Sequence, residues 1–180
     1  GLWRILAIPA VIYLLPAMLA RIIVKGFPLR SQILKLGSAD FFKWWAVSNL
    51  QMIFCRLPIL EELLRMIPMA YGAWLRLWGS KIGRLIFWSP GTQILDRSFV
   101  EVGDDVLFGV GVQLASHVMV RNDAGENEVI LAAVKIGDRA IVGGYSVLGP
   151  GSEIAQEEAT KACLLLPPFS TWRDGKRIKG

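Results

Sequence analysis

The sequence has a single histidine, His117, and only two cysteines, Cys55 and Cys163, in 180 residues. The two thiols stand far apart in apolar surroundings without metal-ligand spacing, which leaves a structural zinc site without ligands and reads as two buried thiols in a reducing compartment. Charge is also sparse: 19% of the residues are charged and 53% hydrophobic, with mean hydropathy +0.45. An ordinary soluble domain is about 25% charged. Disorder is excluded, and the length excludes a large multidomain machine.

Acidic residues are scarce in one half in particular. Residues 1–84 carry 11 Lys/Arg against 3 Asp/Glu, and residues 85–180 carry 9 against 12. The positive charges of the first half stand singly in apolar sequence, so no basic cluster tracks a phosphate backbone and nucleic acid is not the expected partner. Trp3, Trp44, Trp45, Trp74 and Trp78 share this half. Tryptophan with Lys/Arg beside apolar runs is the composition of a bilayer interface.

Residues 5–20 are uncharged, lie between Arg4 and Arg21, and contain Pro9 and Pro16. A straight span needs about 20 residues, which favours a kinked, re-entrant or interfacial helix over a spanning one. A second apolar stretch runs over 40–54. In a third, 57–78, Ile59, Leu63, Ile67, Tyr71, Trp74 and Trp78 recur at three- and four-residue spacing. This predicts an amphipathic helix or helix pair broken near Pro68, its stripe facing lipid, another subunit, the second domain or simply a core. Residues 1–79 are thus read as an apolar, amphipathic α-helical region that associates with a membrane; docking onto a partner protein or onto trimer mates without bilayer contact is the other reading.

From Ser80 the period changes. Aliphatic or aromatic residues recur every six positions at Ile82, Trp88 and Ile94, then after a two-residue slip at Val102, Phe108, Leu114 and Val120. The phase resumes beyond a polar loop (121–128) at Ile130, Ile136, Val142, Leu148 and Ile154. Gly or Ala repeatedly follows, and small or β-branched residues such as Val106, Val112, Val118, Ala140, Ser146 and Ser152 stand four places on. A six-residue period is the signature of a parallel β-helix in which a short strand and a corner make one face of a triangular prism. Each aliphatic points inward, and residues 80–163 give about four and a half coils, above the ~3 repeats a stack needs. The prism is too thin to hold a ligand inside.

The stretch 94–117, ILDRSFVEVGDDVLFGVGVQLASH, and its resumption 135–154, KIGDRAIVGGYSVLGPGSEI, resemble the left-handed β-helix, hexapeptide-repeat acyltransferases of the galactoside, maltose and colanic-acid O-acetyltransferase type. The resemblance covers residues 80–168 and leaves 169–180 as a basic C-terminal tail. It implies a mainly β chain, a left-handed parallel β-helix preceded by helices. It also implies a homotrimer with active sites between neighbouring prisms, and a donor of acyl-CoA or the phosphopantetheine of an acyl carrier protein rather than a permanently bound cofactor. His117 matches the family's general base, Asp96 an aspartate on the acceptor side, Gly144 beside Gly143 the backbone donor to the tetrahedral oxyanion, and Ala162 the small residue beside the pantetheine arm. Each has a plainer reading: a lone histidine is ordinarily exposed or satisfied in a core, Asp96 is a turn former, and Ala162 is a repeat position.

Two departures bear on activity. Pro167 and Pro168 stand where the family places a Thr-Lys pair near the coenzyme, and residues 85–93 lack an asparagine that several members place before the histidine. Arg173, Lys176, Arg177 and Lys179 are either a substitute phosphate contact or a solvated terminus. One histidine excludes the three-imidazole metal site of γ-class carbonic anhydrases, and no metal is expected. A nucleotidyltransferase is excluded because no Gly-rich phosphate loop precedes the coil. The expected function is therefore transfer of an acetyl or longer acyl group to a hydroxyl or amine of a small-molecule or lipid-linked acceptor. The chain would be peripheral or monotopic on the inner membrane, with its catalytic domain on the cytoplasmic side. A non-catalytic trimeric scaffold at the membrane is the alternative.

Overall fold

The structure, a computed structural model, describes residues 2–26 and 33–179. Helix α1 (Leu2–Gly26) runs through both Pro9 and Pro16. The apolar stretch read as kinked or re-entrant is thus part of one 25-residue helix, and its segment Ala7–Gly26 is long and apolar enough to cross a membrane by length and composition. Ala17 and Ala20 on one side are fully buried, small enough to let the backbone settle against the other helices. Ile8, Val11, Leu15, Met18, Leu19 and Ile22 are exposed. Arg21 lies inside the helix rather than at its boundary.

Strand β1 (Ile33–Lys35) leads into α2 (Ala39–Arg56), whose first turn is capped by the Ser38 side chain accepting from the Phe41 amide at 3.2 Å. The helix ends ahead of Pro58, because the residue before a proline is driven out of the α region. Helices α3 (Ile59–Arg65) and α4 (Ala70–Trp78) form the pair expected around Pro68. The apolar stripe does not survive the break. Met69, at φ 66°, redirects the chain between the two helices, so Tyr71, Trp74 and Trp78 are buried while Ile59, Leu63 and Ile67 are exposed. Tyr13 donates to the Leu60 carbonyl at 2.7 Å, Arg21 to that of Arg76 at 2.7 Å, and the Trp74 indole to that of Tyr13 at 2.9 Å, which ties α1 to α3 and α4. Gly79, at φ 108°, closes α4 and turns the chain into the coil.

The first coil contains β2 (Lys81–Ile82), β3 (Phe87–Trp88) and β4 (Gln93–Ile94); the second β5 (Val100–Val102), β6 (Leu107–Phe108) and β7 (Gln113–Leu114). An antiparallel hairpin of β8 (His117–Arg121) and β9 (Asn127–Leu131) then leaves the prism. Coiling resumes with β10 (Val134–Ile136), β11 (Ile141–Val142) and β12 (Val147–Leu148), and continues with β13 (Glu153–Ile154) and β14 (Leu165–Leu166). The last strands are β15 (Ser170–Arg173) and β16 (Lys176–Lys179).

Three parallel sheets make the three faces, and equivalent residues stack in register. Ile82, Val102, Ile136, Ile154 and Trp172 form one column, Trp88, Phe108 and Val142 a second, and Ile94, Leu114, Leu148 and Leu166 a third. The Trp88 and Phe108 rings stack at 4.6 Å and 9°. Leu75 and Trp78 of α4 join Ile82 and Ile94 in the same core, so the helices close one end of the prism.

The chain departs from expectation in three further places. Val118, Val120 and Ile130 lie on the hairpin, where β9 also pairs with β1, rather than inside the prism; the inward phase returns at Ile136. Residues 169–180, read as a tail, contain β15, which extends the first face, and β16, which folds back on it antiparallel. Both cysteines are exposed rather than buried: Cys163 occupies an outward corner at φ 57°, and Cys55 lies on α2 with its sulfur 3.5 Å from the Arg97 guanidinium.

Candidate active site

Third-face strands normally return to the first face by a tight corner, as at Gly149–Ser152 and at Pro167–Phe169. In the first two coils that corner is replaced, by the two-residue slip at 95–99 and by the hairpin that opens at Ala115. These replaced corners carry Asp96 and His117, and the ladder bond from the Leu95 amide to the Leu114 carbonyl (3.0 Å) stacks one on the other. The Ser116 hydroxyl donates to the Phe99 carbonyl at 2.6 Å and the Ser98 hydroxyl to that of Trp78 at 2.9 Å, fixing both corners against each other and against α4.

His117 Nδ1 lies 2.6 Å from Asp96 Oδ2. A carboxylate only accepts, so Nδ1 carries the proton and Nε2 presents its lone pair; among the described residues Nε2 has no protein partner. The other carboxylate oxygen, Oδ1, accepts from the Trp44 indole N–H at 3.1 Å, and the Trp44 ring meets the imidazole edge-on at 5.0 Å. The His117 side chain keeps 27% exposure while that of Asp96 keeps 2%. Burial pulls the imidazole pKa down, but the hydrogen bond that Nδ1–H donates to Asp96 and the carboxylate's negative charge together outweigh burial and hold it above the ordinary histidine value.

The Asp96 carboxylate, expected on the acceptor side, is buried with both oxygens engaged inside the protein, one by His117 and one by Trp44. Next to it, Arg97 is buried with Nε 3.0 Å from Glu61 Oε1 and Nη1 3.2 Å from Gln51 Oε1; its second terminal nitrogen also pairs with Glu61. Glu61 in turn accepts from the Tyr71 hydroxyl and from Arg65 (3.3 Å), and Arg65 donates to the Thr92 carbonyl at 2.7 Å. This buried network joins α2, α3 and α4 to the corner that holds Asp96. Sequence reasoning missed Trp44, Gln51, Glu61 and Arg97 as parts of the site. The signal available was the charged pair Asp96–Arg97 sitting at the slip in an otherwise apolar-in repeat.

Gly143, Gly144 and Ala162 lie at another corner, between the second and third faces, so the third face separates them from His117 within one chain. Gly143 lacks a Cβ for a reason internal to the coil: one built there would stand 2.4 Å from the Lys161 carbonyl carbon and 2.6 Å from the Ala162 nitrogen. The next coil therefore fills the space beside the Gly143 Cα. Gly143 and Gly144 are both half-buried and Ala162 is exposed, with the Gly144 carbonyl accepting from the Cys163 amide at 2.8 Å. An apolar cavity of about 670 Å³ between α4 and the first coil, walled by Met69, Tyr71, Leu85, Phe87 and Trp88, does not include His117. Among the described residues, no cluster of His, Cys, Asp and Glu could hold a metal ion.

No family model matches the chain, and no curated protein does. Solved structures are similar to it. Galactoside acetyltransferase in complex with coenzyme A is 13% identical, with TM-score 0.49 over 82% of this chain and 85% of that one. A maltose O-acetyltransferase from Clostridium difficile is 17% identical, with TM-score 0.47 over 74% and 87%. A hexapeptide-repeat-containing acetyltransferase from Vibrio cholerae O1 biovar eltor, complexed with acetyl coenzyme A, is 16% identical, with TM-score 0.43 over 73% and 88%.

Proposed function

We propose that the protein is a membrane-associated acyltransferase that moves an acetyl or longer acyl group from a thioester, on coenzyme A or an acyl carrier protein, to a hydroxyl or amine, with His117 as general base. The observation that carries this reading is the His117–Asp96 pair. A carboxylate on Nδ1 fixes the tautomer and aims Nε2, which is the arrangement a proton acceptor needs near neutral pH.

In the proposed step the acceptor's O–H or N–H bond breaks toward Nε2 as its oxygen or nitrogen bonds to the thioester carbonyl carbon. The tetrahedral oxyanion collapses, the C–S bond breaks, and the imidazolium returns its proton to the leaving sulfur. Asp96 stabilises the imidazolium formed between the two transfers. Backbone N–H groups at Gly144 serve the oxyanion and Ala162 lines the pantetheine path. Because the third face separates these from His117 in one chain, they would complete the site of a neighbouring prism in a homotrimer of left-handed β-helices. The outward apolar face of α1 holds the trimer at the cytoplasmic leaflet, where an amphiphilic acceptor is within reach.

Detergent-solubilised wild type and His117→Ala, given acetyl and longer acyl thioesters with a membrane extract as acceptor, test this reading. Thioester consumption by wild type should fall by roughly 10²–10⁴-fold in the variant. Equal turnover overturns His117 as base, and no turnover with either carrier favours the scaffold.

A further inference from the structure

The coil alone does not finish the His117–Asp96 pair. Asp96 Oδ2 is used by His117, and Oδ1 receives its hydrogen bond from Trp44, 52 residues earlier and on α2. Trp44 is 7% exposed and packs with Leu34, Val129 and Leu131, so α2, β1 and the hairpin that begins at His117 share one small core. That core leaves the indole no freedom to turn its N–H away, and the ring's second contact is the imidazole itself.

We propose that Trp44 is a positioning residue of the site, so that the helical region sets the orientation and proton affinity of His117 in addition to any role at the membrane. The indole N–H draws on the charge of Asp96 and fixes the plane of its carboxylate, and the ring edge limits the tilt of the imidazole. Asp96 is the charged group that acts on the imidazole; Trp44 from α2 and Leu131, opposite His117 on β9, are neutral, and the neighbouring Lys43 bonds to Asp40 on its own helix at 2.7 Å. Without the indole donor the carboxylate holds the shared proton more strongly, whichever atom carries it, so the pair's affinity for a proton rises.

The effect on turnover rests on the acyltransferase reading; the effect on the imidazole does not. Because the chain has one histidine, its labelled imidazole gives a single set of NMR signals whose titration needs no assignment. Trp44→Phe keeps an aromatic ring and removes the N–H. We expect its His117 midpoint to move upward by about half a pH unit, and kcat to fall roughly tenfold with the donor KM unchanged. Trp45→Phe, at the exposed neighbouring position, changes neither. If Trp44→Phe does not fold, benzothienylalanine at position 44, with sulfur in place of the indole N–H, gives the same readout. A titration that overlays wild type in the folded variant overturns the proposal. A shifted titration in a protein without turnover upholds the positioning role while the acyltransferase reading fails.

Discussion

In the coil, burial follows from the backbone repeat: each sixth residue faces inward wherever the chain keeps phase, and Ile82, Val102, Ile136, Ile154 and Trp172 stack in a column that the local sequence dictates. In the helical region, burial follows from what each helix happens to meet. Tyr71 and Trp78 are buried because α4 closes the prism, while Ile59 and Leu63, which share their spacing, are exposed. The use of charge divides the same way. Coil charges pair across its outside, as Lys81 does with Glu101 at 2.9 Å, whereas the charges of Glu61, Arg65 and Arg97 are buried at the joint. A repeat therefore supplies a scaffold, and the chemistry collects where the helices meet a break in it.

The largest effect should come from the joint. Glu61→Ala leaves Arg97 buried and unpaired, which costs about 3–5 kcal/mol, while Lys81→Ala on the coil exterior costs less than about 1 kcal/mol. Urea unfolding of the two variants measures the contrast. Equal small losses would show that the joint is no more than a surface ion pair.

A smaller loss, about 1–3 kcal/mol, is expected for Gly143→Ala, where the added methyl meets the backbone of Lys161 and the coils must part. Thermal melting checks it. An unchanged melting point would mean that the corner is open, as a ligand path would require.

This contrast explains what the sequence disclosed. The prism was legible because a period of six is unlike that of a strand or helix, and the slip after Ile94 and the loop after Val120 marked the two corners that hold Asp96 and His117. The partnership of those two residues, and the hydrogen bond from Trp44, were not legible, since they depend on where α2 packs and no local period encodes that. The helix break near Pro68 was readable, but not which face each helix buries. The two thiols were misjudged for the same reason: apolar neighbours in sequence do not place Cys163, whose corner points outward.

A finer probe is pH. With the His117 pKa raised, the neutral imidazole that the proposed mechanism uses as base is lost as pH falls through a value above the ordinary 6.5, so on that mechanism the acid limb of kcat/KM lies above that value. Stability runs the other way. The protonated pair contributes stability fully below the unfolded pKa of histidine, and that contribution is lost as pH rises through the raised folded value. Asp96→Asn removes the charge and leaves one acceptor oxygen where the carboxylate offered two, so the acid limb moves down toward or below 6.5 and the pH dependence of melting across this window flattens. An acid limb unmoved in Asp96→Asn would place the titrating base elsewhere.

The smallest effect on stability should come from the outward face of α1, and it separates the two regions most cleanly. Leu15 and Met18 are half exposed and touch neither the coil core nor the dyad. Replacing both by Glu should change folding stability by no more than about 0.5 kcal/mol per site and leave the His117 titration in place. Insertion of carboxylates into an apolar bilayer region is expensive, so the double variant should stay at the bottom of a flotation gradient in which wild type rises with anionic vesicles. A variant that still floats overturns this face as the anchor. A variant that fails to float and also has a lower oligomeric state than wild type would show that copies of the chain, rather than lipid, cover α1.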